Sequence, residues 1–154
     1  KMGKVLNIFR NMANSPNALQ AFLALNQAAE RTSLSPQLQQ QIALAVAQAN
    51  RCHYCLSAHT LLGKHAGLND QAINDARQSR ASDAKTSAVL HLVNEIVQNR
   101  GAVSDAELNN ARNSGISDQE LVDILLVTMV NMFTNYFNNL TRPEIDFPLA
   151  PNLP

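Results

Sequence analysis

Alternating runs of valine, isoleucine and threonine are almost missing from this chain, and none of its five glycines follows an asparagine or aspartate. The signals of strands and tight hairpins are therefore lacking, which argues against a β-fold. A basic excess is lacking too: Lys plus Arg number 12 and Asp plus Glu number 12, leaving no surplus to neutralise phosphates or hold an anionic bilayer. The reading is no nucleic-acid partner and no membrane partner. The longest apolar stretch, Ile124 to Val130, falls far short of the roughly 20 residues of a spanning helix. No glycine-rich phosphate loop or other cofactor fingerprint is present, so no organic cofactor is expected.

What the chain has is helix punctuation. Its 154 residues, 45% of them hydrophobic, suit one compact domain over 1–154. Lys1 to Ser15 reads as an amphipathic stretch without the apolar core and cleavage site of a signal peptide, so a cytoplasmic location is expected. Ser15-Pro16 and Ser35-Pro36 each set a capping hydroxyl before a proline at the first helical position. Ser104 with Glu107, and Ser117 with Glu120, spell capping boxes, while Gly67, Gly101 and Gly115 supply stops. These marks predict helices at about 4–13, 16–31, 36–50, 53–66, 69–79, 83–100, 104–113 and 117–140. The fold class is all-α, a compact multi-helix bundle.

The last helix carries one stripe of Leu121, Leu125, Thr128, Met132, Tyr136 and Leu140, and another of Val122, Leu126, Val130, Phe133 and Phe137. Two apolar sides need two covers, and the second implies a homo-oligomer. After Thr141, Pro143, Pro148, Pro151 and Pro154 forbid a helix, while Ile145, Phe147 and Leu149 alternate with other residues. This predicts an extended arm in a groove, on this or a neighbouring subunit. A weak internal echo lays Leu34 to Asn50 and Tyr54 over Ile116 to Met132 and Tyr136, with cysteines only in the first copy.

The chemistry concentrates in Arg51-Cys52-His53-Tyr54-Cys55-Leu56-Ser57-Ala58-His59. Spacings of three and four put Cys52, Cys55 and His59 on one helical face. The cysteines fall in a first turn, where unpaired N–H groups and the helix dipole favour a thiolate. Lowering a thiol from a pKa of ~8.5 to ~6.5 raises its thiolate share at neutral pH from about 3% to roughly three-quarters, for ~2.7 kcal/mol. Such a thiolate can open a peroxide O–O bond to give a sulfenic acid, which the second thiol resolves to a disulfide. In a reducing compartment a staple is not expected of these cysteines. Two rival readings are buried inert cysteines and a zinc site completed by His53, His65 or His91. His91, four residues before Glu95, is expected to form a surface ion pair with it; His53 and His65 are expected to be exposed.

With these residues in view, the chain resembles the alkylhydroperoxidase D-like branch of the carboxymuconolactone decarboxylase superfamily, in its peroxidase-related subgroup. The likeness is strongest from Leu34-Ser35-Pro36 to Gly67 and returns in Asn135-Tyr136-Phe137-Asn138-Asn139 and Glu144-Ile145-Asp146-Phe147-Pro148. It implies a helical fold assembled as trimers or hexamers, with Cys55 as the peroxide-attacking thiol and Cys52 as the resolving one. The family motif also places a glutamate twelve residues before the first cysteine, where this chain has Gln40, and relatives often carry histidine where Asn139 stands. Glutamine can hold the His59 imidazole by a hydrogen bond but cannot stabilise imidazolium as an anion does. The expected catalytic set is Cys55, Cys52, His59 and Gln40, with no metal. The expected function is a thiol-dependent hydroperoxidase acting on a hydroperoxide substrate, with a thiol electron donor that the sequence does not identify. The alternatives are a disulfide reductase or redox sensor, or a zinc-bound interaction module.

Overall fold

A computed structural model describes residues 5–153. Its eight helices are α1 (Asn7–Met12), α2 (Pro16–Glu30), α3 (Pro36–Ala49), α4 (His53–His65), α5 (Asp70–Arg77), α6 (Ala84–Gln98), α7 (Asp105–Asn113) and α8 (Asp118–Thr141), with no strand among the described residues. Seven begin where a side chain takes up an otherwise unpaired N–H. Ser15, Ser35, Asn69, Asp83, Ser104 and Ser117 do so with oxygen, and Cys52 does so with sulfur.

The exception is α1, predicted to start at residue 4, which lies outside the described residues. Leu6 offers no side-chain cap. The N–H of Asn7 instead donates to Asp146 Oδ2 at 2.8 Å, a carboxylate 139 residues further along. A cap supplied from so far away leaves no local signature at the helix start.

The capping box at Ser117 and Glu120 forms in full. At Ser104 only half of it forms, because the Glu107 carboxylate turns to His91 Nε2 at 3.0 Å on α6. One contact thus corrects two expectations: Glu107 does not close its box, and His91 pairs with Glu107 rather than with Glu95, which accepts from Asn99.

α3 is the central helix. Ile42, Ala43, Leu44, Ala45, Val46 and Ala47 are all buried, as a helix must be when it packs against α4, α5, α6 and α8. The core cluster draws on every helix, from Ile8 and Met12 of α1 to Ile124, Val127 and Val130 of α8.

The stripes expected on α8 are redistributed. Its buried face is Ile124, Val127, Thr128, Val130, Asn131, Asn135 and Asn138, largely polar toward its C-terminal end. Its open face is Val122, Leu125, Met129, Phe133, Tyr136 and Leu140. Apolar character alone misled the assignment, because asparagines occupy core positions and large apolar residues occupy solvent.

The arm after Thr141 is extended, as its prolines require, and it packs on its own chain. Phe147 is buried edge-on against Tyr54 with ring centroids 5.4 Å apart. Asp146 Oδ2 accepts from Tyr54 Oη at 2.6 Å, Ala150 N donates to Ser57 Oγ at 3.1 Å, and Arg77 Nη1 donates to the Pro151 carbonyl at 2.8 Å. The expected alternation holds at Ile145 and Phe147 but ends there, since Leu149 is exposed.

Candidate functional site

The junction of α3 and α4 makes the site. Arg51 adopts a left-handed conformation, φ 53°, unusual for a residue with a side chain. Its N–H donates to the Gln48 carbonyl and that of Cys52 to the Ala47 carbonyl, the paired bonds of a Schellman close. Cys52 therefore ends α3 and caps α4 at once, and its Sγ accepts from the Cys55 N–H at 3.3 Å. That geometry brings the two sulfurs together, and Cys52 and Cys55 are joined as a disulfide with Cα atoms 5.2 Å apart. A bond between residues three apart encloses almost no chain, so it adds little by restricting the unfolded state and suits reversible chemistry better than a staple.

Both cysteines are buried, Cys52 fully and Cys55 at 2% exposure, although polar residues surround them in sequence. The apolar neighbours come from other helices. Cys55, but not Cys52, lines a cavity of about 260 Å³ between α1, α2, α3, α4 and α8. Ile8, Phe9, Phe22, Ala29, Leu62, Val127, Val130 and Phe147 make its apolar wall; Glu30, Gln40, Tyr54, His59 and Asn138 are among its polar lining.

His59 Nδ1 lies 2.9 Å from Gln40 Oε1. An amide oxygen only accepts, so Nδ1 carries the proton, and Nε2 is left with its lone pair. Burial pushes the His59 pKa from 6.5 down to about 4, so the imidazole is neutral near pH 7. Gln40, which the family resemblance set beside His59, makes that contact here. Burial also lifts the Tyr54 phenol well above its usual range, reinforced by the hydrogen bond to Asp146, so its hydroxyl remains protonated. His53 and His65 are exposed. Among the described residues no three His, Cys, Asp or Glu side chains are grouped to hold a metal ion.

One residue at the sulfur was not singled out by the sequence. Asn138, buried on α8, donates from Nδ2 to Cys55 Sγ at 3.3 Å. Its neighbour Asn139 is exposed and donates to the Asn50 carbonyl at 2.9 Å. Only the three-residue step from Asn135 to Asn138 along the core face could have pointed to it.

The model of the carboxymuconolactone decarboxylase family matches residues 16–98, which span α2 to α6 and include the whole of the Cys52–His59 segment. The chain belongs to that family. Its fold is the one found in alkylhydroperoxidase AhpD-like structures. A peroxidase-related protein from Silicibacter sp. TM1040 superposes with a TM-score of 0.82 at 25% identity, covering 92% of this chain and 77% of that one. An alkylhydroperoxidase AhpD core protein, peroxidase-related, from Ralstonia eutropha JMP134 gives 0.82 at 23% identity, covering 92% and 78%. A debrominase solved with 2,3,4-tribromopyrrole has the same fold, with a TM-score of 0.82 at 16% identity over 94% and 79%. No curated protein matches the chain in sequence. Proteins named for more than one chemistry thus share this fold.

Proposed function

We propose that this protein is a thiol-dependent hydroperoxidase working through a Cys52/Cys55 dithiol–disulfide cycle. The observation that carries the reading is the single face on which Cys55, His59 and a largely apolar cavity meet. In the reduced protein, Cys55 gives its proton to His59 Nε2, and the thiolate attacks the outer oxygen of an organic hydroperoxide. An S–O bond forms and the O–O bond breaks. The departing alkoxide takes the proton back from His59 and leaves as the alcohol. Cys52 then attacks the Cys55 sulfenic acid, an S–S bond forms, and water leaves with the Cys52 proton. A dithiol donor returns the pair to the reduced state by exchange. Cys55 is the attacking sulfur because it faces the cavity, while Cys52 lies behind it as the helix cap.

The test is direct. Protein reduced and freed of reductant should consume about one equivalent of cumene hydroperoxide and return to the Cys52–Cys55 disulfide, seen by mass after alkylation. Unchanged peroxide and free thiols would leave disulfide exchange or redox sensing as the function.

The same reading includes a homo-oligomer, a trimer or hexamer. Its support is the open face of α8, where Val122, Leu125, Met129, Phe133, Tyr136 and Leu140 follow helical spacing and are all more than 40% exposed. Light scattering should give a multiple of 16.8 kDa. Leu140→Glu should lower that mass without unfolding the chain, since Leu140 is 81% exposed. A single-chain mass for the parent protein would defeat the assembly.

A further inference from the structure

Asn138 is the polar side chain of the cavity wall that folding explains least. It is 4% exposed. Its Nδ2 reaches Cys55 Sγ, and its Oδ1 is buried without a hydrogen-bond partner. An unpaired buried carbonyl destabilises the fold, so a leucine of similar size would serve the core better. Asn131 on this face donates to the Val127 carbonyl; Asn135 accepts from Asn50 and also keeps an unpaired Nδ2, but it does not line the cavity and does not touch the sulfur.

We infer that Asn138 is a catalytic residue of the dithiol, its amide N–H stabilising the Cys55 thiolate and its idle Oδ1 receiving the O–H of the Cys55 sulfenic acid. The thiolate half stands on geometry alone. The sulfenic half rests on the hydroperoxidase reading. In that step the hydroxyl on sulfur is the outer OH of the peroxide, so a hydroxyl hydrogen is delivered beside an acceptor that nothing else occupies. Held there, the sulfenic acid directs its sulfur toward Cys52, and the S–O bond breaks as the S–S bond forms. The amide is well suited to both tasks because it is donor and acceptor at once and carries no charge of its own.

The ionisable groups that face Cys55 across the cavity are His59 and Tyr54 from α4 and Glu30 from α2. Asp146 of the arm binds Tyr54. The cavity-lining side chains of α1, α3 and α8 are uncharged, so Asn138 is what α8 offers a negative sulfur.

The experiment uses Cys52→Ser protein, in which Cys55 is the remaining thiol, and reads the pH midpoint of iodoacetamide alkylation. Adding Asn138→Leu should raise that midpoint by about one to two pH units, the worth of one hydrogen bond to a charged group. Asn138→Asp, which keeps the shape but replaces the donor by a carboxylate, should raise it at least as far. It also provides the reading if the leucine variant does not fold. A burst of cumene hydroperoxide consumption should slow about tenfold in Asn138→Leu, with less sulfenic acid trapped by a selective probe. A merely structural asparagine predicts otherwise: an unchanged midpoint in both variants, with Asn138→Leu less stable than the parent, and the unchanged midpoint by itself would overturn the inference. Parent protein inert to peroxide, with the midpoint shift intact, would defeat the hydroperoxidase reading and the sulfenic half while upholding the thiolate half.

Discussion

Cys55→Ser should abolish hydroperoxide reduction, lowering the rate at least about a thousandfold, or ~4 kcal/mol in barrier at 1.36 kcal/mol per factor of ten. A serine hydroxyl is not ionised near pH 7 and is a poor nucleophile toward oxygen, whereas the thiolate is both available and polarisable. Cys52→Ser should behave differently. Its Cys55 still faces the cavity and can still attack once, but no thiol remains to expel water from the sulfenic acid. One equivalent of peroxide should be consumed in a burst, after which turnover stops, and excess peroxide should drive Cys55 on to the sulfinic acid. Peroxide consumption and protein mass read both outcomes. The reverse pattern, with Cys55→Ser giving the burst and Cys52→Ser giving nothing, would exchange the roles of the two sulfurs. Normal turnover in both variants would show that the disulfide cycle is not used.

A second large effect should appear in stability against pH. The folded imidazole of His59 takes up its proton only near pH 4, because burial disfavours the cation, while the unfolded one does so near 6.5. Between these values the unfolded chain binds more protons, so stability is full above about pH 6.5 and is lost as the pH falls toward 4. The whole shift corresponds to at most about 3 kcal/mol. Urea unfolding of the oxidised protein across this range should show the loss, and His59→Gln should remove it. An identical pH dependence in the two proteins would mean that His59 is not held neutral by the fold.

The same buried site explains the expected behaviour of Gln40→Glu. A carboxylate 2.9 Å from Nδ1 in place of the amide would favour imidazolium, raise the His59 pKa and shrink the stability loss. It should also raise the peroxide rate several-fold to tenfold, because His59 must carry the Cys55 proton during attack, and ~1.4 kcal/mol is a factor of ten. His59→Ala should depress that rate. A variant carrying Gln40→Glu with unchanged rate and unchanged pH response would show that proton transfer does not run through this pair.

By itself the sequence determined the all-helical fold, the ends of most helices and the grouping of Cys52, Cys55 and His59, while Gln40 came from the family resemblance. All but Gln40 rest on local rules: a capping side chain acts within three residues, and helical spacing places a face within two turns. Tertiary structure alone decided the rest. Asp146 caps α1 from the far end of the chain, Glu107 leaves its box for His91, and asparagines of α8 turn inward while its large apolar residues face solvent. Asn138 reaches Cys55 across 83 residues of sequence. No local pattern records such a contact, because it depends on which faces of α4 and α8 are pressed together, and that is settled by the packing of the whole core around α3.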